Sequence, residues 1–147
     1  MYCMDGRGNS GASGKCDASR VLIVDDEPQI RTIFQLAISM ACPQLSVDLA
    51  PNGAEAVSLF QQKKHGVITM DLRMPVMDGW QAFNAIMDHC TANGIKPPPV
   101  IFVTGYALPK IVDEAVGDGS YNGLLMKPVM ISDIVNEVKK RLAIAAS

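Results

Sequence analysis

Four short apolar runs constrain this chain more than any other feature: Val21-Leu22-Ile23-Val24, Val67-Ile68-Thr69-Met70, Val100-Ile101-Phe102-Val103 and Leu124-Leu125-Met126. Polar residues do not alternate through them. Each therefore reads as a strand covered on both faces, the condition of a strand inside a parallel sheet. Leu45-Ser46-Val47-Asp48-Leu49 does alternate and reads as a further strand, at an edge.

Between the runs, apolar residues recur at helical spacing. Pro28 suits the first turn of a helix, where its missing N–H is not needed. Ile30, Ile33, Phe34, Ala37, Ile38 and Ala41 then form one stripe, and Pro43 stops it. Asn52-Gly53-Ala54-Glu55 reads as a cap with an acidic residue three positions on, opening a helix through about Gln62. A third helix is predicted from about Gly79 to Ala92, with Trp80, Phe83, Ile86 and Met87 inward and Asn93-Gly94 at its end. Pro97-Pro98-Pro99 is an extended connector. Pro109 puts a fourth helix near Ala107, closed by Gly117 and Gly119, and a fifth carries Ile131, Ile134, Val135, Val138 and Leu142 inward. Strands alternating with helices make an α/β fold, a parallel sheet with helices on both faces.

The chain of 147 residues is 48% hydrophobic and 19% charged, enough for one domain with a proper core. Residues 1–19 are Gly/Ser-rich and read as a flexible tail, leaving residues 20–147 as the folded domain. A net charge of −2 argues against a general nucleic-acid or membrane-surface binder. Lys63-Lys64 and Lys139-Lys140-Arg141 read as solvated helix ends. Cys3, Cys16, Cys42 and Cys90 lie far apart without a Cys-x-x-Cys pair and read as free thiols. No apolar stretch nears the roughly 20 residues of a membrane span, and the N-terminus lacks a signal-peptide core. The expectation is a cytoplasmic protein with no output domain after the last helix.

The strand ends carry the chemistry. Asp25 and Asp26 follow the first strand, Asp71 the third, Thr104 and Gly105 the fourth, and Lys127 and Pro128 the fifth. In a right-handed parallel sheet these ends share one rim. Three clustered carboxylates repel one another unless a counter-charge intervenes. A hard divalent cation with oxygen ligands supplies it, and Mg²⁺ binds through one or two carboxylates while keeping several waters. Such a cation beside Asp71 would neutralise an incoming phosphoryl group. Lys127 would touch the same group as a point charge, and Thr104 would donate a hydrogen bond to it. Phosphoryl transfer is mainly positioning and electrostatics, and a carboxylate can serve as the nucleophile.

These residues sit in motifs that resemble the receiver domain of two-component response regulators. The motifs are Val21-Leu22-Ile23-Val24-Asp25-Asp26-Glu27-Pro28, Met70-Asp71-Leu72-Arg73-Met74-Pro75-Val76-Met77-Asp78-Gly79, Val103-Thr104-Gly105-Tyr106-Ala107 and Met126-Lys127-Pro128. The resemblance covers roughly residues 20–145. It implies a doubly wound, flavodoxin-like sheet of five parallel strands in the order 2-1-3-4-5, flanked by five helices. It implies that Asp71 is the phosphoacceptor and that Asp25, Asp26, Asp71 and the backbone carbonyl of Arg73 hold Mg²⁺. Thr104 becomes the switch hydroxyl and Lys127 the phosphate-contacting lysine, with a cis bond to Pro128. The implied donor is a sensor histidine kinase or phosphotransfer protein, and the output is a contact with a downstream protein, with homodimerisation an option. Such a chain is a signalling receiver, catalysing only its own phosphorylation and dephosphorylation, and either stands alone or belongs to a longer kinase.

Other residues read more plainly. Asp78 is a turn or capping residue before Gly79, and Glu27 a first-turn acid suiting the helix dipole. The methionines fill the core, Trp80 packs, and His65 and His89 belong to the surface. An acid-phosphatase type of hydrolase would want Asp-x-Asp, but Leu72 and Arg73 follow Asp71 and bring no second acid. A nucleotide-binding domain would want a glycine-rich loop after the first strand. The family usually carries Tyr or Phe three residues before its lysine, and this chain has Leu124 there. Tyr106 is a candidate for that part. Arg73 and Tyr106 are bulky neighbours of the site, so slow hydrolysis of the acyl phosphate is expected.

Overall fold

The structure, a computed structural model, describes residues 14–105 and 108–146. Its elements alternate without exception: β1 (Asp17–Val24), α1 (Pro28–Ala41), β2 (Ser46–Ala50), α2 (Gly53–Lys63), β3 (His65–Asp71), α3 (Gly79–Ala92), β4 (Val100–Thr104), α4 (Lys110–Val116), β5 (Gly123–Met126) and α5 (Ile131–Ala146). The strands form one parallel sheet in the order 2-1-3-4-5. Fold and order are those expected of the resemblance.

Side-chain alternation divides the sheet cleanly into two faces. Leu22, Val24, Ile68, Met70, Val100 and Phe102 pack with Phe60 of α2 and Ala82, Phe83, Ile86 and Cys90 of α3. Their neighbours Val21, Ile23, Val67, Ile101 and Val103 pack with Phe34 and Ile38 of α1 and Ile134 and Val138 of α5. Each such side chain contributes about 1.5–3 kcal/mol on burial. This is why the central runs carry no polar alternation. Trp80 belongs to the same packing, stacked on Phe83 at 5.3 Å between ring centroids.

Local signals set the boundaries. The Asn52 side chain accepts the Glu55 N–H at 2.9 Å. Asp78 and Gln81 form a reciprocal capping box at the start of α3, so Asp78 is the capping residue expected of it. Gly79 has a different constraint: a Cβ there would collide with the main-chain oxygen of Asp71. The Lys127–Pro128 peptide bond is cis, as the resemblance implied.

Several expectations are corrected. β1 starts at Asp17, so residues 17–19 are strand rather than tail. The cue was lost because this half of the strand is polar and alternately exposed. β3 starts at His65, which is fully buried and not a surface residue. His65 Nε2 lies 2.8 Å from Asp48 Oδ2, and Lys63 joins the same carboxylate at 3.3 Å. His89 is half-buried, with its Nε2 enclosed. Arg141 is 3% exposed rather than solvated. It donates to Glu137, to the Gly119 carbonyl at 2.6 Å and to the Tyr121 carbonyl at 3.1 Å. Ile33 and Ile131 face solvent at 44% and 55% exposure. Cys16, Cys42 and Cys90 are free thiols. Residues 1–13 with Cys3, and Tyr106 and Ala107, lie outside the described residues.

Candidate functional site

Register brings the strand ends together. Val24 pairs with Met70, Asp71 with Val103 and Thr104 with Met126, so residues 25, 71, 104 and 127 meet on one rim. The Lys127 N–H donates to the Thr104 carbonyl at 2.8 Å, which fixes β5 to β4 where the rim begins.

Asp25 is held on every side. Its N–H donates to the Ala50 carbonyl at 3.2 Å. Oδ1 accepts the Glu27 N–H at 2.9 Å, Oδ2 accepts Lys127 Nζ at 3.1 Å, and the carbonyl accepts Arg31 at 2.6 Å. Lys127 Nζ also lies 3.6 Å from Asp71 Oδ1 and 3.5 Å from Glu27 Oε1. Burial works against its charge, but Asp25, Asp71 and Glu27 outweigh that and hold its pKa above the ordinary lysine value.

Asp71 is 5% exposed. Its burial, then the Asp25 carboxylate, push its pKa up to about 6, with Asp26 adding to the rise while Lys127 and the Arg73 N–H pull against it. Carboxylate oxygens of Asp25, Asp26 and Asp71 lie within 4.8 Å of one another, and among the described residues they form the only acidic or metal-ligand cluster this tight. One lysine does not balance three carboxylates and Glu27. The donor set is all oxygen, which suits a hard divalent cation and fits Mg²⁺. A cavity of about 430 Å³ opens above it, lined by Asp26, Glu27, Asp71, Arg73, Gly105 and Lys127.

Thr104 is buried beside this group. Leu124, where the family usually has an aromatic ring, is half-buried and packs into the α2–α3 face of the core. Sequence reasoning brought Asp25, Asp26, Asp71, Thr104 and Lys127 to one place, and the structure does the same. It missed Glu27 as a partner of Lys127, and Arg31 as the donor to Asp25. The available signal for Arg31 was its isolation, since no other charged residue occurs between Pro28 and Ala41.

Comparison with known proteins gives one answer. The family described as "Response regulator receiver domain" matches residues 21–139. Regulatory protein AtoC of Escherichia coli is 33% identical over 124 residues, 84% of this chain and 25% of that protein. The positive alginate biosynthesis regulatory protein of Pseudomonas aeruginosa is 34% identical over 124 residues, 82% of this chain and 46% of that protein. The chain thus spans a quarter to just under half the length of these two relatives. Among solved structures, Vibrio cholerae chemotaxis protein CheY4 aligns with a TM-score of 0.67 at 26% identity, over 84% of this chain and 98% of that one. The signal receiver domain of the response regulator NarL from Mycobacterium tuberculosis aligns with a TM-score of 0.68 at 29% identity, over 85% and 96%.

Proposed function

Because the chain belongs to the response regulator receiver family, we propose that Asp71 is the phosphoacceptor of a two-component phosphorelay. The donor is the phosphohistidine of a sensor kinase or phosphotransfer protein. The observation that carries this is the carboxylate cluster of Asp25, Asp26 and Asp71, within 4.8 Å, with Lys127 paired to Asp25 and Asp71.

Asp71 attacks phosphorus through a carboxylate oxygen. The new O–P bond forms as the P–N bond to imidazole breaks, and the electron pair of that bond stays on the ring nitrogen. With its pKa near 6, Asp71 is mostly ionised at neutral pH and so able to attack. Lys127 is already poised between Asp25 and Asp71 and moves onto the transferred phosphoryl oxygens. The Thr104 hydroxyl donates to another of them and carries the change into β4. Asp25, Asp26, Asp71 and the Arg73 main-chain carbonyl would hold Mg²⁺, whose positive charge would offset the acids and the incoming phosphoryl group.

The chain acts only on itself in this reading, gaining and losing its own phosphoryl group. Its output is a contact with a downstream protein through α4, β5 and α5. With Leu124 in place of an aromatic ring, that output depends on another group. Among the described residues no helix is long and apolar enough to cross a membrane, in keeping with a cytoplasmic role.

The test is intact mass after incubation with Mg²⁺ and acetyl phosphate. The expected result is a gain of one phosphate that disappears in Asp71→Asn. Persistence of the gain in that variant would refute the assignment. Rapid turnover of a phosphomonoester would point to a hydrolase instead.

A further inference from the structure

We propose that Arg31 is a positioning residue for the cation-binding acids, setting their affinity for Mg²⁺ from outside the site. This rests on the receiver reading above and concerns a residue that neither the motifs nor the comparisons single out.

Arg31 is half-buried on the first turns of α1 and reaches back six residues. Its guanidinium donates to the main-chain carbonyl of Asp25 at 2.6 Å. That carbonyl lies just past the last residue of β1. The start of α1 also needs bracing, because its N-cap, Glu27, makes no side-chain capping bond. Two of the bonds that hold the turn from β1 to α1 are local to it: Asp25 Oδ1 accepts the Glu27 N–H at 2.9 Å, and Arg31 donates to the Asp25 carbonyl.

Both candidate ligands on this turn depend on that grip. Asp25 has one carboxylate oxygen on the main-chain N–H of Glu27, which ties its orientation to this turn, and the other on Lys127. Asp26 is exposed and is placed by the same main chain. Groups that orient metal ligands without touching the metal typically change affinity by about 10–100-fold when removed. A donor to a main-chain carbonyl acts less directly, so about 5–10-fold is expected here, the low end of that range or just under it.

The experiment is calorimetric titration of the full chain with Mg²⁺, alongside thermal unfolding without the ion. Arg31→Gln is expected to raise the Mg²⁺ Kd about 5–10-fold, and Arg31→Lys, which keeps one donor, to recover most of the loss. If Arg31 merely braced the helix, Arg31→Gln would lower the melting temperature and leave the Kd unchanged, and that result overturns the inference. Should Arg31→Gln not fold, Arg31→Met takes its place, and an unchanged Kd in that variant would overturn the inference equally. If the natural chain shows no Mg²⁺ binding, the receiver reading itself fails, and the two failures are told apart.

Discussion

The two ends of the sheet handle charge in opposite ways. At the carboxyl rim, Asp25, Asp71 and Glu27 share Lys127, Asp26 crowds the other two aspartates, and Asp71 is pushed up to a pKa of about 6. At the amino end, a single carboxylate has several partners. Asp48 lies 2.8 Å from His65, 3.3 Å from Lys63 and 3.9 Å from Arg20. Burial works against its charge, but the bonds from His65 and Lys63 win and hold its pKa below the ordinary aspartate value. Arg141 at the same end has its donors occupied by Glu137 and two carbonyls. One end is electrostatically closed and stabilises the fold. The other crowds its acids round one lysine, a pattern that an added cation would relieve, which is how a binding site departs from a merely stable one.

The largest effect should come from breaking the closed end. Arg141→Leu leaves Glu137 and the Gly119 and Tyr121 carbonyls without their donor and should cost about 3 kcal/mol in urea unfolding. A loss below about 1 kcal/mol would mean that water replaces the guanidinium at no cost.

Relieving the open end should do the reverse. Asp71 titrates at about 6 in the fold against 3.8 when unfolded, so its ionised form opposes folding above pH 6. Asp71→Asn should therefore stabilise the metal-free protein by about 2 kcal/mol at pH 8. The gain should shrink toward zero by pH 4 and be offset by saturating Mg²⁺, which favours only the natural chain. Equal melting temperatures at pH 8 would contradict that crowding.

Next is His65. Burial lowers its pKa below 6.5 despite the bond to Asp48, so below that pH the unfolded chain takes up a proton that the fold refuses. Stability tied to His65 is thus fully present above pH 6.5 and declines as pH falls. Between pH 6.5 and 4, Asp71 and His65 pull in opposite directions. In an Asp71→Asn background, His65→Gln should flatten the acid limb by about 1 kcal/mol, read from melting temperature against pH.

The smallest effect concerns backbone strain. Among the described residues, each end has one non-glycine residue with positive φ: Lys64 at 54° and Val76 at 71°. Lys64 is an unbranched helix C-cap, an ordinary left-handed site. Val76 is β-branched, and the Met77 N–H bonds the Pro75 carbonyl around it at 2.8 Å, closing a strained three-residue turn. Its side chain is 83% exposed and gains little from packing. Val76→Gly should stabilise by about 0.5–1 kcal/mol, and a net loss would show that the turn is not strained.

The rim was legible in the sequence because each of its residues ends an apolar run, and a polar residue there has few reasons to exist except chemistry. The helix caps at Asn52 and Asp78 were legible because capping is local. His65 and Arg141 were not. Each is a single polar residue with no periodic signature, and its partners stand at distant points of the chain: Asp48 is 17 residues from His65, and the Gly119 carbonyl 22 from Arg141. The polar half of β1 was hidden for a related reason, since its pairing partner is His65. Ile33 and Ile131 were placed inward by spacing alone, which cannot tell which of several apolar positions a neighbouring layer will cover.

The alternation that splits the sheet into two faces also decides where this chain can change length. In β3, Val67 faces α1 and α5, while Ile68 and Met70 face α2 and α3. Losing one residue between Val67 and Asp71 would turn over whichever part of the strand shifted, core residues and terminal acid together. The loops have no such parity. Gains and losses of single residues in descendants of this chain should therefore collect between the strands and the helices, and the central strands should keep their length to the residue.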